Sequence, residues 1–360
     1  MLTVSGSTSR LERLRSVMQK HRLDVSVITN PKNVYYFSAF LAPWTEKAIL
    51  VVCADQAILV CGTEPAVSAA TSVRTYEANA IGTLRLDQNN QIAAAIKELL
   101  SKTKRVGTEF AFCDLLLRES IQGDAVDLGP DIYQLRRRKD PDELELIYKS
   151  AACIDACYDY ARNSIEPGLT EVELYGQLLQ VAIQEAGEPI GRFGNDFQCG
   201  TPGGPPRNRP AEKGEIWILD LAVEYRGYAA DASRCFVVDK TVTDTQQAAW
   251  NCLVETLHYT ENAARPGGSC KAHFKEVKHM LDSHLPGGFT HHLGHGFGLF
   301  AHETPHLNPH WDETFEIGDT FTVEPGLYHH SLSGGLRLEN DYLMTSDGLQ
   351  RITQAPLEMI

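Results

Sequence analysis

Asp220 and Asp231 are acidic residues set inside apolar, β-branched and aromatic sequence over residues 216–238. Arg226-Gly227 divides that stretch, and a two-residue break between such runs reads as a β-hairpin. Pairing Tyr225 with Tyr228 at the tip sets Ala222 opposite Asp231 and Asp220 opposite Ser233. Strand side chains alternate with period two, so the aspartates share a face as diagonal neighbours within reach of one ligand. Carboxylates in apolar strands are costly without a positive partner, and a divalent metal would supply one. From the hairpin alone, a pair of solvent-facing acids on a half-exposed sheet reads equally well.

Further along, His291, His292, His295 and His302 fall within twelve residues, beside Gly294, Gly296 and Gly298. The glycines allow backbone to approach a site closely. They are not a phosphate loop, because no Lys-Ser/Thr follows and the spacing does not suit a dinucleotide fingerprint. Glu324 and Glu339 then sit in apolar strands over residues 320–345, as the aspartates do in theirs. Asp220, Asp231, His295, Glu324 and Glu339 form a hard, oxygen-rich set larger than one metal needs, suited to Mn²⁺, Co²⁺ or Zn²⁺. Two ions sharing bridging carboxylates account for the count. A bridging water would become hydroxide near neutral pH and attack a carbonyl carbon.

The elements that must position these residues fall in two parts. Before residue 130, Leu11, Leu14, Val17 and Met18 make a helical stripe, and short apolar strands follow at 25–28, 48–52 and 57–60. A helix over 91–100, a strand around Val106 and a helix over 114–121 complete an α/β domain without readable chemistry. The basic run 135–139 reads as a solvated hinge, and Asp140-Pro141 with Glu143 as a helix start, continued by Leu144, Ile147, Ala151, Ile154 and Tyr158. The expected domains are therefore 1–135 and 136–360. In the second, helix, Pro-Gly, helix and strands occur twice: Pro167-Gly168 and Thr170-x-x-Glu173 precede the first acidic strands, and Pro266-Gly267 precedes the second. That order suggests a duplicated half-domain.

Composition narrows the function classes. Lys+Arg 33 against Asp+Glu 47 gives a net charge of −14, which argues against a general nucleic-acid or membrane-surface binder. Nine scattered cysteines without Cys-x-x-Cys spacing read as reduced thiols. The first residues lack the apolar run of a signal peptide, and no stretch has the length of a membrane span. A soluble, cytoplasmic protein is expected.

With these residues in view, the chain resembles the pita-bread-fold metallopeptidases, in the branch of prolidase, Xaa-Pro aminopeptidase and creatinase. The motifs that carry the resemblance are Leu219-Asp220-Leu221, Asp231-Ala-Ser-Arg234-Cys-Phe236, Gly294-His295-Gly296-x-Gly298, Val323-Glu324-Pro-Gly-Leu-Tyr328 and Arg337-Leu338-Glu339-Asn340. Asn30-Pro-Lys-Asn-Val-Tyr-Tyr-Phe and Arg136-x-x-Lys139-x-x-x-Glu143-Leu144 resemble its N-terminal domain and interdomain helix. The resemblance implies an α+β chain: a creatinase-type N-terminal α/β domain followed by a pita-bread catalytic domain with internal pseudo-duplication. It implies that Asp220 binds one ion, that Asp231 and Glu339 bridge, and that His295 and Glu324 complete the second site. Glu324 would also shuttle a proton, His291 would contact substrate, His302 would stabilise the tetrahedral intermediate, and Arg337 would orient the bridging acids.

The implied activity is cleavage of the bond before proline in Xaa-Pro dipeptides or peptide N-termini, with two divalent ions, Mn²⁺ first and Co²⁺ or Zn²⁺ as alternatives. Other readings are a creatinase-like or ectoine-hydrolase-like C–N hydrolase of a non-peptide molecule and a non-catalytic binding protein on the same scaffold. The implied partners are a small peptide or dipeptide and a second copy of the chain, with Trp44 as a contact that helps close the site. The sequence departs from the family pattern at Arg207, where a histidine is usual, and at Asn340, where Asp is common. A guanidinium cannot transfer protons near neutral pH but grips a carboxylate bidentately, so Arg207 reads as binding a substrate carboxylate or, equally well, as pointing to solvent with Asn208 or nothing in the histidine's place.

Overall fold

The computed structural model describes residues Met1–Met359. They form two compact units, Met1–Arg136 with Asp140–Asp142, and Arg137–Lys139 with Glu143 onward. No helix among the described residues is long and apolar enough to cross a membrane.

Short β-branched runs build the first unit around a six-stranded sheet. Its order is Ser72–Thr75, Ala57–Cys61, Ile49–Val52, Val25–Ile28, Arg105–Thr108, Asp124–Asp127. The central strands match the apolar runs of the sequence to within a residue, because strands covered on both faces read as continuous apolar stretches. The edge strands Ser72–Thr75 and Asp124–Asp127 are part-exposed and carry no such run, so the pattern misses them. Helix Val4–His21 buries Leu11, Leu14 and Met18, and helix Gln88–Leu100 buries Ile92, Ile96 and Leu100 at a spacing of four.

The basic run is largely buried, with Arg138 exposed, which corrects the expectation of a solvated hinge. Arg136, Arg137 and Lys139 are all buried, and each has a partner. In the first unit Arg136 donates to Asn33 Oδ1 at 2.8 Å. In the second, Arg137 grips Asp319 through Nε and Nη2 at 2.9 and 2.7 Å, and Lys139 meets Glu303 at 3.3 Å. Burial of these cations is tolerable only because each is matched.

Helices Pro141–Ser164, Glu171–Ala186, Asp244–Ala263 and Cys270–His284 supply the helical layer of the second unit. Thr170 with Glu173 forms a reciprocal capping box at the start of Glu171–Ala186, and Thr243 with Gln246 forms another at the start of Asp244–Ala263. The first half carries the hairpin Ile216–Tyr225 and Tyr228–Val237. Arg226 and Gly227 at its tip both have positive φ, the requirement of a two-residue turn that follows the strand twist. The second half carries a five-stranded sheet in the order Glu303–Leu307, Gly294–Gly296, Thr320–Val323, Asn340–Thr345, Gly348–Arg351. Ile216, Ile218, Cys235 and Val237 of the hairpin share one core with Trp250, Leu253, Phe321 and Tyr342.

Arg10 is fully buried in the first unit and holds Asp142 with Nη1 and Nη2, both at 2.9 Å. Burial pushes the Asp142 carboxyl up, but Arg10 and the Thr3 backbone N–H bring it below its ordinary range. Arg10→Ala should therefore cost about 3–5 kcal/mol by leaving a buried carboxylate unmatched. A depressed folded-state value means that Asp142 contributes stability above the ordinary carboxylate range and loses it as pH falls through the folded value. Urea unfolding should show the wild-type advantage over Arg10→Ala shrinking on acidification. An advantage that is constant with pH would contradict this account.

Candidate metal centre

The hairpin register is the one expected: Asp231 pairs with Ala222, and Ser233 with Asp220. Both aspartates are buried and lie on one face. Ser233 also exchanges backbone hydrogen bonds with Glu339, N to O at 3.4 Å and O from N at 3.1 Å, which brings the second half's strands against the hairpin. Glu324 is set opposite the histidine strand by its N–H, which donates to Leu293 O at 2.8 Å. His295 needs its flanking glycines, because a Cβ at Gly294 or Gly296 would lie 2.0 or 2.1 Å from the Thr322 or Thr304 carbonyl oxygen.

All five candidate ligands line one cavity of about 300 Å³, together with His291, His292, His302, Asn195 and Arg337. Ligand atoms of Asp231, His295 and Glu339 lie within 4.8 Å of one another, as do those of His291, His292 and Glu324. His295 Nδ1 faces Gly296 O at 3.0 Å, so it carries the proton and Nε2 keeps a free lone pair, 3.7 Å from Glu324 Oε1.

The electrostatics fit divalent cations. Burial and mutual repulsion push Asp231 and Glu339 well above the ordinary carboxylate range, and burial raises Asp220. Glu339 Oε2 is buried without a hydrogen-bond partner. A half-satisfied buried carboxylate among three others is costly, and a cation with oxygen ligands removes that cost. Glu324 differs: burial raises it, but His292 at 3.1 Å and the neighbouring histidines hold it down to about 2. Burial lowers His295 to about 4, keeping it neutral as a ligand must be.

Arg337 organises one wall, and it holds Asp220 and Asp196 instead of the expected bridging acids Asp231 and Glu339. Its Nη1 bonds Asp220 and, at 2.8 Å, Asp196, while its Nε donates to Tyr328 Oη at 2.8 Å. Tyr328 Oη in turn donates to His291 Nε2 at 2.9 Å, and His291 Nδ1 donates to His292 O at 2.7 Å. This directed chain fixes the His291 tautomer and holds its ring. The His302 ring stacks on His295 with centroids 3.7 Å apart.

Arg207 departs from expectation. Its Nε and Nη2 are committed to Glu171 at 2.9 and 2.6 Å, and it is absent from the cavity lining. Glu171 is fully buried and also accepts the Arg207 and Cys199 N–H groups, so the guanidinium stabilises an internal carboxylate instead of waiting for a substrate's. At Asn340 the amide is structural: Oδ1 accepts from Arg234 Nη2 at 2.8 Å. The next residue, Asp341, is buried and accepts the Asp231 N–H at 3.0 Å. His292 and Tyr328, present in the sequence motifs without a role, and Asn195, outside them, also belong to the site. His292 could have been found from its place in the histidine run. Asn195, whose Nδ2 lies 3.1 Å from both Asp220 Oδ1 and Asp231 Oδ1, sits in an irregular stretch with no pattern to mark it.

Residues 145–346 match the profile of metallopeptidase family M24, and residues 10–137 that of the creatinase/prolidase N-terminal domain. The Xaa-Pro dipeptidase of Pyrococcus furiosus is 26% identical over 361 residues, covering 98% of this chain and 99% of that protein. A putative dipeptidase of Bacillus subtilis is 25% identical, with 98% and 99% covered. Among solved structures, an Xaa-Pro dipeptidase from Bacillus anthracis superposes with a TM-score of 0.84 at 23% identity, covering 98% of this chain and 99% of that one. An X-Pro aminopeptidase from Thermotoga maritima gives 0.80 at 22% identity, with 97% and 99% covered. The fold is therefore the pita-bread architecture with a creatinase-type N-terminal domain.

Two outcomes follow from this geometry. In the presence of chelator, Glu339→Gln should stabilise the protein, because it removes a charge that burial and the neighbouring carboxylates disfavour. Thermal melts with chelator would read this, and a destabilised variant would refute the crowding. Arg207→Ala should lower stability by about 1–3 kcal/mol by orphaning Glu171, and Arg207→Lys should restore part of it. A melting temperature unchanged by Arg207→Ala would mean that the Glu171 pair carries no weight.

Proposed function

The chain belongs to metallopeptidase family M24 and is an enzyme of that type; from that premise we propose that it hydrolyses the bond before proline in Xaa-Pro dipeptides, with peptides carrying proline second as further substrates. The observation that carries this reading is the convergence of Asp220, Asp231, His295, Glu324 and Glu339, from both halves of the fold, on one cavity. The names of the relatives, dipeptidases above all, support the substrate class.

In this reading the five residues hold two divalent ions, Mn²⁺ first, with Co²⁺ and Zn²⁺ also suited to such ligands. When bound, the ions would supply Lewis acidity at the scissile carbonyl and make water acidic enough to lose a proton and become a nucleophile. Glu324, held ionised beside His292, takes the proton from the attacking water and delivers it to the departing proline nitrogen. His302 forms no protein hydrogen bond among the described residues, and burial keeps it neutral, so its N–H is free to donate to the developing oxyanion. His291, with both nitrogens engaged, serves as a fixed wall for the substrate, and Arg337 orients Asp220.

We further propose a homodimer. On the first unit, Trp44 is 92% and Val67 70% exposed, apolar surface that a second copy would cover. All nine cysteines are free thiols, which suits the cytoplasm.

Dialysis against chelator should abolish Xaa-Pro hydrolysis, and Mn²⁺ or Co²⁺ should restore it. Asp231→Ala or Glu339→Ala should do more damage than Asp220→Ala, because a bridging ligand serves both ions. Metal content and turnover of each variant are the measurements, and activity that survives complete chelation refutes the mechanism. Sedimentation at micromolar concentration should give a dimer; a monomer alone would remove that proposal.

A further inference from the structure

The first unit, which supplies none of the five candidate ligands, holds a cavity of about 340 Å³. It lies where the sheet changes direction. Val25–Ile28 and Arg105–Thr108 are parallel neighbours, yet the chain leaves them towards opposite edges. From the first it continues to Ile49–Val52 on one side, and from the second to Asp124–Asp127 on the other. Connections that part in this way open a crevice at the carboxyl ends of the strands, where open α/β sheets bind small ligands. Thr29 and Pro31, just past the first strand, and residues 111–114, just past the second, line the cavity. Its walls are largely apolar: Ile49, Ile92 and Leu117 are buried, and Phe112 is half-exposed.

Two charged side chains share this lining, Lys47 and Asp114. Among the described residues neither forms an ion pair, with the other or with any third group. Asp114 Oδ1 accepts the Leu116 N–H at 2.9 Å, and Oδ2 accepts from Asn89 Nδ2 at 2.8 Å, which fixes the carboxylate without neutralising it. Lys47 is fixed through its backbone. Its N–H donates to Gln88 Oε1 at 2.9 Å, and its carbonyl accepts from Tyr76 Oη at 2.7 Å. Gln88 and Tyr76 are both buried, so two interior polar side chains are committed to holding one exposed lysine in place.

We infer that this crevice binds a free α-amino acid with an apolar side chain of about the size of leucine. An unpaired cation and an unpaired anion in one cavity complement a zwitterion: the ligand's carboxylate meets Lys47 and its ammonium meets Asp114. The side chain then covers Ile49, Ile92 and Leu117, and the volume is at the small end of the range for ligand pockets. A simple carboxylic acid would leave Asp114 unmatched, and a simple amine would leave Lys47 unmatched. The ligand of this crevice is independent of what the second unit cleaves.

The test is calorimetric titration of the full chain, loaded with Mn²⁺, with leucine. Leucine should bind, and Lys47→Met and Asp114→Asn should each weaken it about tenfold or more, the loss of one charged hydrogen bond. Lys47→Arg, which keeps the charge, should retain most of the affinity. Leucinamide lacks the carboxylate and N-acetylleucine the ammonium, and both should bind about tenfold or more weakly than leucine. Hydrogen exchange locates the site: leucine should protect residues 47–49 and 111–117 in wild type and not in Lys47→Met. No binding of leucine at millimolar concentration, affinity indifferent to Lys47→Met and Asp114→Asn, or leucinamide binding as tightly as leucine overturns the inference. Leucine that binds without protecting those segments, as it would at the carboxylate cavity, overturns it as well.

Discussion

Four buried carboxylates crowded into one small cavity are the constraint on which the second unit is built. Asp220, Asp231, Glu324 and Glu339 repel one another, and burial strips each of solvent. Such a site exists only where apolar packing elsewhere is strong enough to hold it together. The hairpin supplies that: every position of Tyr228–Val237 is buried, and the face that carries the aspartates continues through Ile216, Ile218, Cys235 and Val237 into the core around Trp250 and Leu253. Around the rim, opposite charge is placed with care. Arg337 sits on Asp220, His292 on Glu324, and Arg234 grips the Glu339 carbonyl and the Asn340 amide. The positive groups are spread so that none fills the space between the carboxylates of Asp231 and Glu339.

What the sequence disclosed, and what it concealed, follows from the range of the interactions involved. The hairpin was legible residue by residue, because a two-residue turn fixes register and register fixes which side chains share a face. The capping boxes at Thr170 and Thr243 are local as well; the first was read, and the second had the same signal. The central strands of the first unit announced themselves through unbroken apolar runs, while its part-exposed edge strands had no comparable pattern. That Asp220, Asp231, His295, Glu324 and Glu339 belong to one site was legible from residue type and family resemblance. His292 was passed over because three other histidines in the same run already had roles.

Buried ion pairs between distant residues were the part that could not be read. Arg137 finds Asp319 across 182 positions, and Arg207 finds Glu171 across 36. Nothing in a charged residue's neighbours states whether its partner will be water or a carboxylate folded onto it from elsewhere. The basic run therefore looked solvated, and Arg207 looked available. Both errors have one cause: hydrophobic patterning reports which apolar faces are buried but is silent about matched charges.

The backbone bridge between Ser233 and Glu339 has a consequence for assembly. Asp220 and Asp231 come from the first half of the unit, and His295, Glu324 and Glu339 from the second. A slip of one residue at that bridge would turn Glu339 to the opposite face and present Leu338 or Asn340 in its place. Ions that recognise the complete set can therefore stabilise one alignment of the halves and no neighbouring one. A centre that held ions through this set would act as a proofreader of the fold, rewarding the correctly docked chain and giving a misaligned one nothing to bind.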